Sequence, residues 1–230
     1  ESESRGLGDV YKRQVLHSST LMAHMGHYNK YKKIELEIFR NGELIGYNYY
    51  FFKKNDDKTI VTNQIKFSVK ILGANIFQVE SFGEEKYLKN QLISYNSKTL
   101  QNGKEKFVNL TLNSDTGKFD IKGSSFKGSV SLDTMVGNWW NHKILQSDIQ
   151  ISPISGSVKK QVVTFIGKES ISLYGKIYEV DRFTLKSKDI TLPKDKRLDF
   201  NIWFDPKESR IIKVSYSRMG NWEYRLKSFE

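Results

Sequence analysis

The chain contains no cysteine, so it has no disulfides, thiolate nucleophiles or thiolate metal ligands. That absence fits the periplasm and the cytoplasm equally well. Proline is scarce, with three residues, and histidine nearly so, with four. No Gly-x-Ser-x-Gly elbow occurs, and His142 stands alone beside Lys143, so a nucleophilic triad is not expected. His24 and His27 lie three apart, but no third ligand follows them, so a metal site is not expected. No apolar run approaches the roughly 20 residues of a helical membrane span. The sequence thus shows no motif of the familiar hydrolase, redox and metal chemistries, and no cofactor is expected.

Charge is plentiful. Thirty-seven Lys and Arg outweigh 26 Asp and Glu, a net +11. A balance of this kind suits nucleic acid or an anionic membrane surface. The lysines, however, alternate along segments and pair in turns, and neither a helix-turn-helix nor an RNA-binding aromatic pattern is found. A solvated lysine-rich surface is expected, with no nucleic acid as partner, while contact with a membrane surface stays open.

Residues 1–14, ESESRGLGDVYKRQ, have no hydrophobic period. Asp9–Gln14 back-translates as GATGTGTATAAGAGACAG, which resembles a sequencing-library transposon end, so this tail is expected to be adapter-derived and non-native. Residues 15–28, beginning VLHSSTLMAH, resemble the end of a signal peptide or a disordered leader. Residues 29–230 then suit one domain. The protein is expected to be periplasmic or exported.

From there the hydrophobic period is two almost everywhere, the mark of half-buried strands. Ile34, Leu36 and Ile38 share one face, and Val61, Ile65, Phe67, Val69 and Ile71 another. Asn41-Gly42 and Asn102-Gly103 are hairpin turns, because both residue types tolerate positive φ. The strands follow in sequence order as a meander. The expected fold is all-β, a single large antiparallel sheet curled into a barrel or half-barrel.

One stretch breaks the rhythm. In residues 133–146 Val136, Trp140 and Ile144 recur every fourth residue, which predicts a short helix. Two adjacent tryptophans on a helix cannot both enter one core, so one is expected to face a cavity or solvent. Trp139, Trp140, Asn141, His142 and Ile144 are therefore the candidate ligand-binding residues, as lining or lid of an apolar pocket. The plainer reading is a helix that plugs the barrel mouth. Glu80, Glu84 and Glu85 cluster beside Gly83, and in a strand context such a group is expected to be a solvated edge.

Several strands also carry a family resemblance. LEIFRNGELIGYNYYFF, the block from FSVKILG to the turn at 102–103, NWWNHKIL, and the closing FNIWFDPKESRIIKVSYSRMGNWEYRL resemble a family of uncharacterised exported bacterial proteins, domain of unknown function 6134. The likeness runs through nearly all of residues 31–228. It implies a β-rich periplasmic protein and assigns no activity. Three functions follow as expectations: a non-enzymatic barrel that binds or carries an apolar or amphipathic, lipid-like ligand; a structural or assembly protein of the envelope acting through an unidentified protein partner; or an enzyme with an unfamiliar site near Glu80, Glu85 and His142.

Overall fold

The computed structural model describes Tyr28 and residues 31–230; the readings of residues 1–27 as tail and leader lie outside the described residues. Tyr28, at the end of the expected leader, packs into the core at 3 % exposure.

Eight strands run as a meander: β1 (Lys33–Arg40), β2 (Glu43–Asn55), β3 (Lys58–Ile71), β4 (Ala74–Leu88), β5 (Gln91–Gln101), β6 (Lys104–Asn113), β7 (Lys118–Gly123) and β8 (Lys127–Val130). After the two-residue β9 (Met135–Val136) come a short 3-10 helix at His142–Gln146 and β10 (Ile149–Ile151). The chain returns through β11 (Val158–Leu173), β12 (Lys176–Ser187), β13 (Asp199–Asp205), β14 (Arg210–Ser217) and β15 (Asn221–Phe229). Pairing β15 with β1 joins the two meanders into one 15-stranded sheet, β8 at one edge and β9 at the other. All neighbours pair antiparallel except β9 with β10.

Among the described residues no ladder closes the sheet; of the two expected shapes it is the half-barrel. The loop after β10 brings its halves together. Ser125 N–H donates to Ser155 O (2.9 Å), and Pro153 O accepts from the Tyr95 hydroxyl (2.9 Å) and Ser97 Oγ (2.6 Å). Gly123 makes the approach possible, since a Cβ there would sit 2.7 Å from Ser155 O.

The alternation read from the sequence is the alternation of burial. Leu36 and Ile38 face inward at 2 % and 0 % exposure, while Glu37 between them takes the outer face. Asn41-Gly42 and Asn102-Gly103 both hold the paired positive φ of a tight hairpin turn. Leu72-Gly73 and Tyr174-Gly175 adopt the same geometry, with first residues that only tertiary context recommends. Tyr174 tips the long β11–β12 hairpin, whose register shifts between Phe165 and Gly167. This tip reaches the outer face of the sheet: the Tyr174 hydroxyl donates to Glu37 Oε2, and Lys227 Nζ lies 4.5 Å from its ring centre.

The predicted helix over 133–146 is realised only as the five-residue 3-10 turn, capped by Asn141 Oδ1, which accepts from Lys143 N–H (3.1 Å). Residues 137–141 are irregular instead, because their polar groups bind the sheet interior rather than one another.

Gly46 sits where the register of β1 and β2 shifts and leaves Ile45 unpaired. A Cβ there would fall 2.1 Å from Lys66 O and 2.4 Å from Phe67 Cβ, whereas one on Gly167 meets nothing within 4 Å. Gly46→Ala is expected to cost about 2–3 kcal/mol through overpacking and Gly167→Ala nearly nothing. Urea melts of the two variants measure the contrast.

Candidate functional site

The inward row of β4 reads Val79, Ser81, Gly83, Glu85, Tyr87, and all five are buried. Glu85, in phase with valine and tyrosine, is therefore carried inside, at 3 % exposure. The expected solvated edge holds for the outward Glu80, which pairs with Lys66 (3.4 Å), and for Glu84, which pairs with Lys86 (3.0 Å). It fails for Glu85, because one step along a strand reverses the face.

Inside, Glu85 Oε1 accepts from Trp140 Nε1 (2.8 Å) and Asn138 Nδ2 (2.6 Å), and Oε2 accepts from the Tyr87 hydroxyl. Desolvation by burial pushes its carboxyl above the usual carboxylate range, against the pull of these three donors. Beside it, the Tyr50 hydroxyl accepts from Trp139 N–H (3.1 Å) and Asn48 Nδ2 (2.9 Å). The Tyr28 hydroxyl hydrogen-bonds His142 Nδ1 (2.6 Å) and accepts from His142 N–H (3.2 Å). Gln161, 1 % exposed on β11, donates to Ile144 O (3.0 Å) and Ser147 O (2.7 Å), which fixes the 3-10 turn.

All five predicted site residues thus lie in one buried segment, but they face different ways. Trp140, 1 % exposed, is ringed edge-to-face by Tyr28, Phe52 and Tyr87 at centroid distances of 5.0, 5.4 and 6.0 Å. Trp139 faces the other half of the sheet, where it meets Phe200 at 5.1 Å and Tyr224 at 6.3 Å. The expectation that one tryptophan must face a cavity or solvent is corrected: both are buried, since an irregular backbone sends adjacent side chains to opposite sides. His142 stacks near Phe204 (5.3 Å), and Ile144 is fully buried. Asn141 is buried too and spends its side chain partly on the cap.

The sequence reading missed Glu85, Tyr50, Tyr28 and Gln161 as partners of this segment. Glu85 was detectable from the phase of its strand, and Tyr50 from the row it shares with Asn48 on β2. Tyr28 and Gln161 carried no local signal.

A cleft of about 410 Å³ opens beside the segment, lined by Tyr28, Tyr31, Phe52 and Thr59 with Lys32, Lys53 and Lys54. Tyr28 and Phe52 stack in parallel across 6.2 Å, and their edges rest on Trp140. None of the predicted site residues lines the cleft; Trp140 and His142 stand behind its wall, in contact with Tyr28.

Two substitutions separate the charge of Glu85 from its hydrogen bonds. A glutamine keeps one oxygen for Trp140 and Asn138 and offers an N–H to the Tyr87 oxygen, so Glu85→Gln is expected to fold normally. Glu85→Leu strands three buried donors and is expected to cost more than about 3 kcal/mol. A carboxyl held above its unfolded pKa binds more protons folded than unfolded. Wild-type stability should therefore fall as pH rises from the usual carboxylate range through the folded pKa, and Glu85→Gln should lack that decline in denaturant melts from pH 4 upward.

No curated protein matches the sequence. Among solved structures, the chain is similar to a β-barrel-like protein of domain of unknown function DUF1849 from Brucella abortus: 10 % identity, TM-score 0.57, covering 86 % of this chain and 96 % of that one. At that identity the likeness is one of fold. An exported protein of YmcC-like fold from Bacteroides fragilis aligns over 86 % of this chain and 94 % of its own, at 8 % identity and a TM-score of only 0.34. The sequence itself is more decisive. Residues 36–227, from β1 into β15, match the domain of unknown function DUF6134, and the chain belongs to that family.

Proposed function

We propose that the protein is a non-enzymatic binding protein of the bacterial envelope that holds one anionic amphipathic molecule in the cleft beside Trp140. One observation carries this reading. Lys32, Lys53 and Lys54 gather on a cleft walled by Tyr28, Tyr31 and Phe52, with no carboxylate among the described residues that line it. The rings suit an apolar tail, and the ammonium groups suit a negative head. The volume lies within the range of roughly 300–1,000 Å³ of small-molecule sites. Export rests on the signal-like character of residues 15–24, VLHSSTLMAH, ahead of Tyr28, which packs in the core and belongs to the folded domain.

In this reading Trp140 and His142 back the wall formed by Tyr28 and hold it in place. Trp139, Asn141 and Ile144 serve the packing of the segment and not the ligand. An enzymatic role finds little support at Glu85, whose two oxygens are taken by internal donors behind a sealed surface.

The alternative of a protein partner has its own observation. Beyond Lys160, β11 has a strand neighbour only on its β12 side among the described residues. Val162, Phe165 and Ile166 stand 47, 52 and 53 % exposed along this edge, which is the arrangement that strand addition uses.

Calorimetric titration of the full chain with laurate tests the primary reading. One-to-one binding is expected, weakened about tenfold or more in Lys53→Glu/Lys54→Glu by reversal of two nearby charges. Dodecanol should bind more weakly than laurate. Absence of laurate binding, or equal binding by the double variant, would sink it and favour the partner reading.

A further inference from the structure

The outer face of β2–β6 carries side chains that the core does not explain. Phe82, Leu100 and Phe107 are 49, 43 and 38 % exposed, although each alternates with residues that fill the interior. They share an open groove of about 740 Å³ with Tyr47, Gln64, Lys66, Glu80, Lys98 and Glu105.

The register sorts these residues into rows. One row crosses the strands as Tyr49, Gln64, Phe82, Lys98, Phe107. The next reads Tyr47, Lys66, Glu80, Leu100, Glu105. Aromatic rings therefore stand on β2, β4 and β6, and hydrogen-bonding groups stand on β3 and β5 between them. Neighbouring strands lie about 4.8 Å apart, so rings on every second strand recur at roughly 9–10 Å. That interval is close to the two-sugar repeat of an extended β-1,4-linked glycan.

We infer that this outer face is a second binding site, and that its ligand is an extended β-1,4-linked polysaccharide lying across the strands. A pyranose ring presents an apolar C–H face that packs on an aromatic ring and a rim of hydroxyls that needs donors and acceptors. Phe82 and Phe107 meet the first need at every second sugar. Gln64, Lys98, Glu80 and Glu105 meet the second.

The other ligand classes fit less well. Single-stranded nucleic acid also stacks on exposed rings but requires a strongly positive groove. Here three lysines (Lys66, Lys98, Lys106) face two glutamates (Glu80, Glu105), and Lys66 is already paired with Glu80 at 3.4 Å. A lipid tail calls for an enclosed apolar wall, whereas this groove is open and interleaved with charges. A protein strand has no free edge to join, because β3, β4 and β5 are each paired on both sides.

The site is independent of the lysine-lined cleft, and co-sedimentation of the full chain with insoluble glycans tests it. Cellulose, chitin and purified peptidoglycan are the β-1,4-linked arms, and insoluble starch is the α-linked control. The chain is expected to pellet with at least one β-linked glycan and not with starch. Phe82→Ala/Phe107→Ala should lose about tenfold or more of that affinity, the scale of lost stacking contacts, while Phe82→Trp retains it. Both phenylalanines are exposed, so the double variant should keep the wild-type melting temperature and its laurate binding. The inference is overturned by failure to pellet with every β-linked glycan, by equal pelleting with starch, or by an undiminished double variant. Retention on single-stranded DNA that depends on the same two rings would overturn it in favour of a nucleic-acid face.

Discussion

A carboxylate with no cation beside it among the described residues holds the interior together. Glu85 is enclosed by protein, and a buried charge is costly unless its lone pairs are satisfied. Tyr87 supplies one donor from the same strand, whereas Trp140 and Asn138 come from more than fifty positions downstream. The requirement is therefore mutual: the carboxyl needs the segment, and the segment, which has little regular hydrogen bonding of its own, needs the carboxyl. Once Trp140 is fixed on the β2–β4 side, the backbone N–H of Trp139 falls to Tyr50 and its ring to Phe200 and Tyr224. One anchor thus orients both halves of the core.

The same constraint explains why the sheet can remain open. A half-barrel with an empty concavity would expose its inward rows to water. Here residues 131–157 run across the concavity and meet its wall at Tyr28, Tyr50, Glu85, Tyr95, Ser97 and Gln161. Every one of these is a polar or aromatic-polar side chain pointing inward from a strand or from the core. They accept an irregular chain because each supplies the partner that a missing ladder would otherwise have provided. Gly123 and Gly156 then let the loop touch the far side of the sheet without a steric toll.

How far the sequence foretold this depends on the range of the signal. Alternation is local and physically strict, so the strand faces, the Asn-Gly hairpins and the meander were legible, and so was a single interruption near residue 140. The form of the interruption was not. Val136, Trp140 and Ile144 fall four apart, and all three are buried, yet Val136 lies on β9, Trp140 in irregular chain and Ile144 in the 3-10 turn, so no single helix face carries them. Periodicity records which residues turn inward and not what backbone delivers them. Glu85 illustrates the opposite error. Its neighbours Glu80 and Glu84 suggested a solvated cluster, although its place two residues before Tyr87 already put it on the inward row. Tyr28 acts on the segment from a distance that no window of sequence spans, and Gln161, nearer in the chain, does so from a strand whose pattern does not mark it.

Where binding can occur follows from what the interior has already spent. Trp139, Trp140, Asn141 and Ile144 fill the concavity, and removing any of them would leave a hole or an unpaired polar group rather than open a site. In the readings proposed here, a ligand is met where apolar surface remains in contact with water. Apart from the exposed edge of β11, two such places stand out among the described residues, and their chemistry differs. At the cleft, rings stand beside lysines without a carboxylate to neutralise them, which favours a negative head on an apolar tail. On the outer face of β2–β6, rings alternate with amides and with charges of both signs, which favours a ligand that is polar at its rim, apolar on its face and near neutral overall. In the readings proposed here, the buried segment serves as the rigid backing that keeps Tyr28, Phe52 and the registered rows of the sheet in position.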